Sequence, residues 1–187
     1  MEIVLASTSP QRRAILTALG TAFRVVPPTY DEVPIPGTPE EVVVARALGK
    51  ARSVAALTPD RPVLGVDTEV VVDGEVLGQP ADAAAARAML SRLAGREHRV
   101  LSGVAVIADV ERTGVEETRV RLIALDDARL DDEVARGEWR GRAGGYAIQE
   151  SGGGLVESIA GDYDNVVGLP VALALRLLDA GGNSAAG

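Results

Sequence analysis

The strongest constraint on this chain is its punctuation. Short apolar runs alternate with helix starts, most of them marked by a side-chain cap or a proline. Ser9 and Pro10 open a helix expected to reach about residue 19, where Gly20 closes it. Thr38, Pro39 and Glu41 supply a cap, a first-turn proline and a capping-box acid for a helix reaching about residue 57. Asp82 caps an alanine-rich helix over 83–93 that ends before Gly95, a short helix is expected over 131–139, and Pro170 starts a last one to about residue 178. Strand-like runs fall between them at 3–6, 23–26, 63–67, 69–72, 75–77, 98–107, 116–125, 146–149 and 155–159. This interleaving predicts one α/β unit around a sheet, with two lobes flanking a cleft. The Asp73-Gly74 hairpin signal and the long runs between 98 and 125 argue for a mixed rather than an all-parallel sheet. Residues 181–187 read as a flexible tail beyond a single domain over 1–180.

Composition removes several chemistries. The chain has 187 residues, no Cys and one His. Disulfides, thiol nucleophiles and zinc–thiolate sites are therefore excluded. His98 lies in the charged stretch GREHRVLSG and is expected to be a surface or strand residue. The formal charge of −8 argues against non-specific polynucleotide binding, which needs a net basic face. No apolar run approaches the roughly 20 residues of a membrane span, and the N-terminus lacks a signal-peptide pattern, so a cytoplasmic place is expected. Eighteen of the 19 basic residues are Arg, and the single lysine is Lys50.

Four segments carry candidate chemistry. In LASTSPQRR a strand ends, hydroxyls follow, and a helix begins with Arg12 and Arg13 in its first turn. Free backbone N–H groups make such a terminus an anion site, and arginine forks match phosphate oxygens; the alternative is a capped helix with surface arginines. Arg46 and Lys50 stand four apart on one helix face, where like charges repel unless an anion lies between them; otherwise they are two solvated side chains.

In VLGVDTEVVV, Asp67 interrupts an apolar run. A buried carboxylate needs a partner, which a metal ion, an Arg or Lys, or a reacting water would supply. A bulge or turn leaving Asp67 wet is the alternative. Asp31 and Glu32, in the proline-rich loop 27–37, are candidates for a second metal-binding carboxylate, since Mg²⁺ is typically held by one or two carboxylates plus substrate phosphates. The fourth segment is GGYAIQ with the glycines of 151–154, where Gln149 could read a base edge with its amide. Neither GxxxxGK[ST] nor GxGxxG occurs.

Taken together, LASTSPQRRAIL, the Asp-Glu pair of the loop, GKA, GVDTEVVVDGEVLGQP, GREHRVLSGVAV, GGYAIQ and GDYDNVVGLP resemble the Maf family of nucleoside triphosphate pyrophosphatases, in order and over nearly the whole chain. The resemblance implies an elongated mixed sheet flanked by helices with a central cleft, similar to inosine triphosphate pyrophosphatases. It also implies a cytoplasmic protein, often a homodimer. The implied reaction is hydrolysis of a nucleoside triphosphate to the monophosphate and pyrophosphate with a divalent cation, Mg²⁺ or Mn²⁺. By position, Asp67 matches the proton acceptor, Glu32 the acidic residue near the metal, and Ser7, Arg12 and Lys50 the phosphate-binding positions.

Base preference in the family tracks the positions of Gln11, Thr68 and Gln149 here. Thr68 with Gln149 is similar to the dTTP/UTP branch, which usually has Arg where this chain has Gln11. The 7-methyl-GTP branch has an aromatic, Gln and Glu at the three positions. The family's GKP lysine falls at Gln79, which implies weaker substrate binding or a compensating arginine, and Arg142, just before AG-x-Y, is the candidate. Glu69 replaces an aliphatic residue and could face a metal or solvent. The rival reading is a nucleotide-binding regulator tied to cell division, or the same hydrolysis on a modified nucleotide.

Overall fold

A computed structural model describes residues 2–148 and 154–180. It holds a seven-stranded mixed sheet flanked by helices. The strands are β1 (Ile3–Ala6), β2 (Phe23–Val25), β3 (Val63–Val72), β4 (Glu75–Val76), β5 (Glu97–Ile107), β6 (Glu111–Leu122) and β7 (Val156–Ala160). The helices are α1 (Pro10–Ala18), α2 (Pro39–Ala55), α3 (Ala83–Leu93), α4 (Asp127–Arg136), α5 (Tyr163–Val167) and α6 (Val171–Asp179). The strand order is β2-β1-β3-β5-β6-β7, with β4 paired to β3. β1 runs parallel to both β2 and β3, while β3/β4 and β6/β7 are antiparallel.

The chain divides into two compact units. The first comprises 1–68, 102–116 and 168–187. Its sheet has a core on each face, because the pleat sends alternate residues to opposite sides. Ile3, Leu5, Leu64, Val66, Val104 and Val106 pack with Leu16 of α1 and Leu173 of α6. Val4, Ala6, Val63 and Ala105 pack with Ala47, Ala51 and Val54 of α2. Two glycines let α2 settle on that face: a Cβ on Gly65 would meet the Ala47 carbonyl, and one on Gly103 the Val43 carbonyl. The second unit comprises 69–101 and 117–167 and has one core, in which Val70, Val72, Val100, Val120 and Leu122 pack with Leu90 and Leu93 of α3 and Leu130 of α4.

Most of the expected punctuation is present. Ser9 accepts from the Arg12 backbone, Thr38 and Glu41 form a reciprocal capping box, and Asp82 caps α3. Asp73 and Gly74 both take positive φ at the β3–β4 turn, as a two-residue hairpin requires.

Four expectations need correction, and one element was not foreseen. The runs 63–67 and 69–72 are one unbroken strand. β6 begins at Glu111, not 116, and ends at Leu122. Its interior Gly114 is no breaker, because a Cβ there would strike Leu173. α4 is capped by Asp126 rather than starting at 131, and it stops at Gly137 in the left-handed region. No strand forms at 146–148; a 3₁₀ turn at Ala143–Gly145 leads in, with Gly144 and Gly145 both at positive φ. Finally, GDYDN carries a short helix, α5, whose buried Asn165 donates to the Val100 carbonyl and to Thr118 Oγ1. The expected strand end and glycine loop at 149–153, and the tail 181–187, lie outside the described residues.

Candidate active site

Asp67 is the central residue. It is 4% exposed and lies in β3, two residues past the last pairing with β1, Ala6 with Gly65. The pleat points Val63, Gly65 and Asp67 toward α2 and Leu64, Val66 and Thr68 toward α1 and α6. Neighbouring residues of one strand thus serve opposite faces of the first unit's sheet. Ser7 follows β1 and the loop 27–37 follows β2, so these groups gather beyond the carboxyl ends of parallel strands, where α/β sheets commonly bind ligands.

On the α2 side, two carboxylates converge on one cation. Lys50 Nζ lies 2.6 Å from Asp67 Oδ1 and 2.6 Å from Glu32 Oε1. Arg46 Nη1, one turn earlier, lies 3.9 Å from Asp67 Oδ2 and 3.9 Å from Glu32 Oε2. The repulsion between Arg46 and Lys50 is therefore relieved by protein carboxylates, and neither residue is simply solvated. Burial resists ionisation of Glu32. The Lys50 hydrogen bond and the charges of Lys50, Arg46 and Arg12 outweigh it and hold the carboxyl below its usual range. Asp67 Oδ2 is buried and makes no hydrogen bond among the described residues. Asp31 takes no part; it is exposed, and its carbonyl accepts from Val33 N at 2.9 Å.

Glu32 reaches Lys50 because its loop is tied to α2. The Tyr30 ring occupies the space a Cβ on Gly49 would need, and Thr29 N donates to Ser53 Oγ at 3.3 Å. Sequence reading missed this tether. Its only signal was a glycine inside an otherwise regular helix.

On the other face, Arg12 is held at three points. Its Nε donates to the Gly168 carbonyl at 2.8 Å, its Nη1 to Ser7 Oγ at 3.3 Å and its Nη2 to Thr68 Oγ1 at 3.1 Å. Thr68 Oγ1 also lies 2.8 Å from Ser102 Oγ. Burial lowers the Arg12 pKa, opposed by the charges of Asp67 and Glu32. Those two charges couple the faces electrostatically. Arg13 is exposed. Gln11 turns back on its helix cap, its Oε1 accepting from Ser9 Oγ at 3.0 Å.

The remaining candidates belong to the second unit. Gln79 is exposed in the loop between β4 and α3, and Arg142 is half-buried ahead of the 3₁₀ turn. Gly144 N donates to the Gly78 carbonyl at 2.9 Å, so the segments bearing these two residues adjoin. Glu69 is buried, which removes the solvent-facing alternative. His98 is a strand residue but not a surface one: it is 2% exposed, with Nε2 2.7 Å from the Tyr146 hydroxyl, and burial pulls its pKa down to about 4. Gln149 lies outside the described residues.

A buried carboxylate with a free acceptor lone pair, a second carboxylate, and cations on both sheet faces define a site for polyanion chemistry assisted by proton transfer. The chain belongs to the Maf-like protein family, whose profile matches residues 2–181. A Symbiobacterium thermophilum protein named dTTP/UTP pyrophosphatase is 46% identical over 179 residues, covering 95% of this chain and 92% of that protein. Relatives of the same name from Citrifermentans bemidjiense and Deinococcus radiodurans are 46% and 42% identical, covering 97% and 99% of this chain and 97% and 95% of theirs. Among solved structures, the Staphylococcus aureus Ham1 protein is 18% identical, with 65% of this chain and 72% of that one covered and a TM-score of 0.47. Among the described residues, no helix is long and apolar enough to cross a membrane.

Proposed function

We propose that this chain is a nucleoside triphosphate pyrophosphatase that hydrolyses dTTP and UTP to the monophosphate and pyrophosphate. The observation that carries this reading is Asp67 Oδ2, a buried acceptor with no hydrogen bond, flanked by Lys50 and Arg46. Membership of the Maf-like family and relatives named dTTP/UTP pyrophosphatase at 42–46% identity support the substrate class.

The residues divide the work. Asp67 Oδ2 accepts the proton of the attacking water as it opens the α–β anhydride. Arg12, preset by Ser7, Thr68 and Gly168, offers its remaining N–H groups to phosphate oxygens, and Lys50 and Arg46 add positive charge on the other face. Lys50 leaves a carboxylate when it turns to a phosphate, so it serves as an internal counterion until substrate arrives.

The donor set fits a divalent cation. Two hard carboxylates, Glu32 and Asp67, already converge on one positive group, a place that Lys50 gives up when it turns to a phosphate. No group of three or more candidate ligands occurs among the described residues, so Glu32 and Asp67 would hold the cation with substrate oxygens and water completing its shell. When bound, it supplies charge neutralisation at the phosphates. Arg142, on a segment adjoining that of Gln79, is the side chain we assign to offset the missing lysine. A homodimer in the cytoplasm completes the reading and is checked by sizing and fractionation.

The test is product identification across dTTP, UTP, the other canonical triphosphates and 7-methyl-GTP with Mg²⁺ or Mn²⁺. Monophosphate and pyrophosphate from dTTP and UTP are expected. Nucleotide binding with no turnover on any member of the panel would favour a regulator instead.

A further inference from the structure

We infer that Ser102 is a positioning residue for this chemistry: it fixes the Thr68 hydroxyl so that Arg12 is held ready for phosphate. The inference rests on the pyrophosphatase reading of the site; Ser102 falls within GREHRVLSGVAV, but that reading gives it no role.

A count of protons carries the argument. Ser102 lies in β5, has no exposed surface, and sits on the same sheet face as Val104 and Val106. Its hydroxyl has one hydrogen-bond partner among the described residues, Thr68 Oγ1 at 2.8 Å. A buried hydroxyl proton must be donated somewhere, so Ser102 donates and Thr68 accepts. Arg12 Nη2 can only donate, and it takes the second lone pair of Thr68 Oγ1 at 3.1 Å. The Thr68 proton then has one direction left, the Gly168 carbonyl at 3.4 Å, which also receives Arg12 Nε at 2.8 Å. The proton and both lone pairs of the Thr68 hydroxyl are thereby assigned, with Ser102 as the outer anchor.

Two consequences follow. The Thr68 hydroxyl is committed to Arg12 and Gly168, so its contribution to substrate selection runs through Arg12 and not through a bond to the base. Without Ser102, the Thr68 hydroxyl can rotate, and Arg12 loses its fixed aim while keeping its charge.

The experiment compares Ser102→Ala, Thr68→Val and the double variant in the full chain. The readouts are kcat and KM for UTP, thermal unfolding, and hydrogen exchange of the Arg12 side-chain Nε–H by NMR. Loss of one neutral hydrogen bond corresponds to about fivefold. Ser102→Ala is expected to raise KM by about that factor with kcat within about twofold, because phosphate binding shared by ground and transition states is what weakens. Arg12 Nε–H exchange should quicken by a similar factor. The double variant should match Thr68→Val alone, since Ser102 acts only through Thr68. Additive losses, or an unchanged KM and unchanged exchange in Ser102→Ala, would overturn the proposal. Should Ser102→Ala fail to fold, Ser102→Cys, a near-isosteric weak donor, is expected to move both readouts in the same direction, and no movement would overturn it. If the parent chain turns over no nucleotide, the pyrophosphatase reading fails while Arg12 exchange still decides the role of Ser102.

Discussion

At Asp67 two requirements meet that sequence alone leaves open: a buried carboxylate needs a cation, and a proton acceptor needs a free lone pair. The structure divides them between the two oxygens, Oδ1 to Lys50 and Oδ2 without a hydrogen bond. Asp67→Asn should therefore cost about a thousandfold or more in kcat while UTP still binds by calorimetry; a variant within tenfold of the parent would remove the proton-acceptor role. Lys50→Met should leave two carboxylates facing each other and lower stability by about 2 kcal/mol, because Glu32 stays half-wet while Asp67 does not. Chemical denaturation at pH 7 reads this directly. The Glu32 carboxyl is held below its usual range, so the unfolded chain binds more protons below about pH 4.3. Its stabilisation is full above that pH and is lost as pH falls through the folded value. Glu32→Gln should flatten that part of the acid limb. His98 behaves likewise at higher pH: neutral in the fold down to about 4, it takes a proton in the unfolded chain from about 6.5. Stability should thus rise with pH between those values. As the chain has one histidine, its ring resonances need no assignment, and a titration midpoint near 6.5 in the folded protein would contradict its burial.

The elements explain why some of this was legible in the sequence and some was not. Local chemistry could be read directly. Ser9-Pro10, Thr38-Pro39-Glu41 and Asp73-Gly74 signal their caps and turn within a few residues, and each forms as expected. An aspartate inside a valine run likewise announces an unusual strand. What depends on a distant partner could not be read. The strand holding Gly114 reads as starting only at 116 until Leu173 occupies the open side of that glycine, and the run from 146 looks strand-like until the positive φ values of Gly144 and Gly145 turn the chain ahead of it. The site shows the same split: Asp67, Arg12 and Lys50 stand out individually, but the Lys50–Glu32 contact needs Tyr30 seated on Gly49, and Ser102 carries no local signal at all. The glycines give the test at this scale. Gly65→Ala would drive a methyl into the Ala47 carbonyl, lift α2, and carry Arg46 and Lys50 away from Asp67. A loss of about 2 kcal/mol or more in unfolding free energy is expected, with activity falling further than stability alone explains. Gly74 is a poor control because of its positive φ, so Thr38→Ala serves instead. It should lower stability by about 1 kcal/mol with activity preserved.

For the whole molecule, the charge of −8 and a triphosphate substrate are compatible because the positive groups are local. Arg12, Arg46 and Lys50 gather around Asp67 and Glu32 within the first unit, and the single lysine of the sequence is the one that bridges both carboxylates. A chain of net negative charge with a compact cationic site should admit a mononucleotide and repel a polyanion. Fluorescence anisotropy should accordingly show no binding of oligo-dT at physiological salt. The family resemblance sets a lysine at the position of Gln79, and with Arg142 assigned as the compensating charge, Arg142→Ala should raise KM for UTP several-fold; an unchanged KM would remove that role. The most direct measurement is product analysis of UTP and dTTP turnover with a divalent cation, the parent chain beside Asp67→Asn. The expected result is monophosphate and pyrophosphate from the parent and no product from a folded, nucleotide-binding variant. Inorganic phosphate with a diphosphate product, or equal turnover by the two chains, would contradict it.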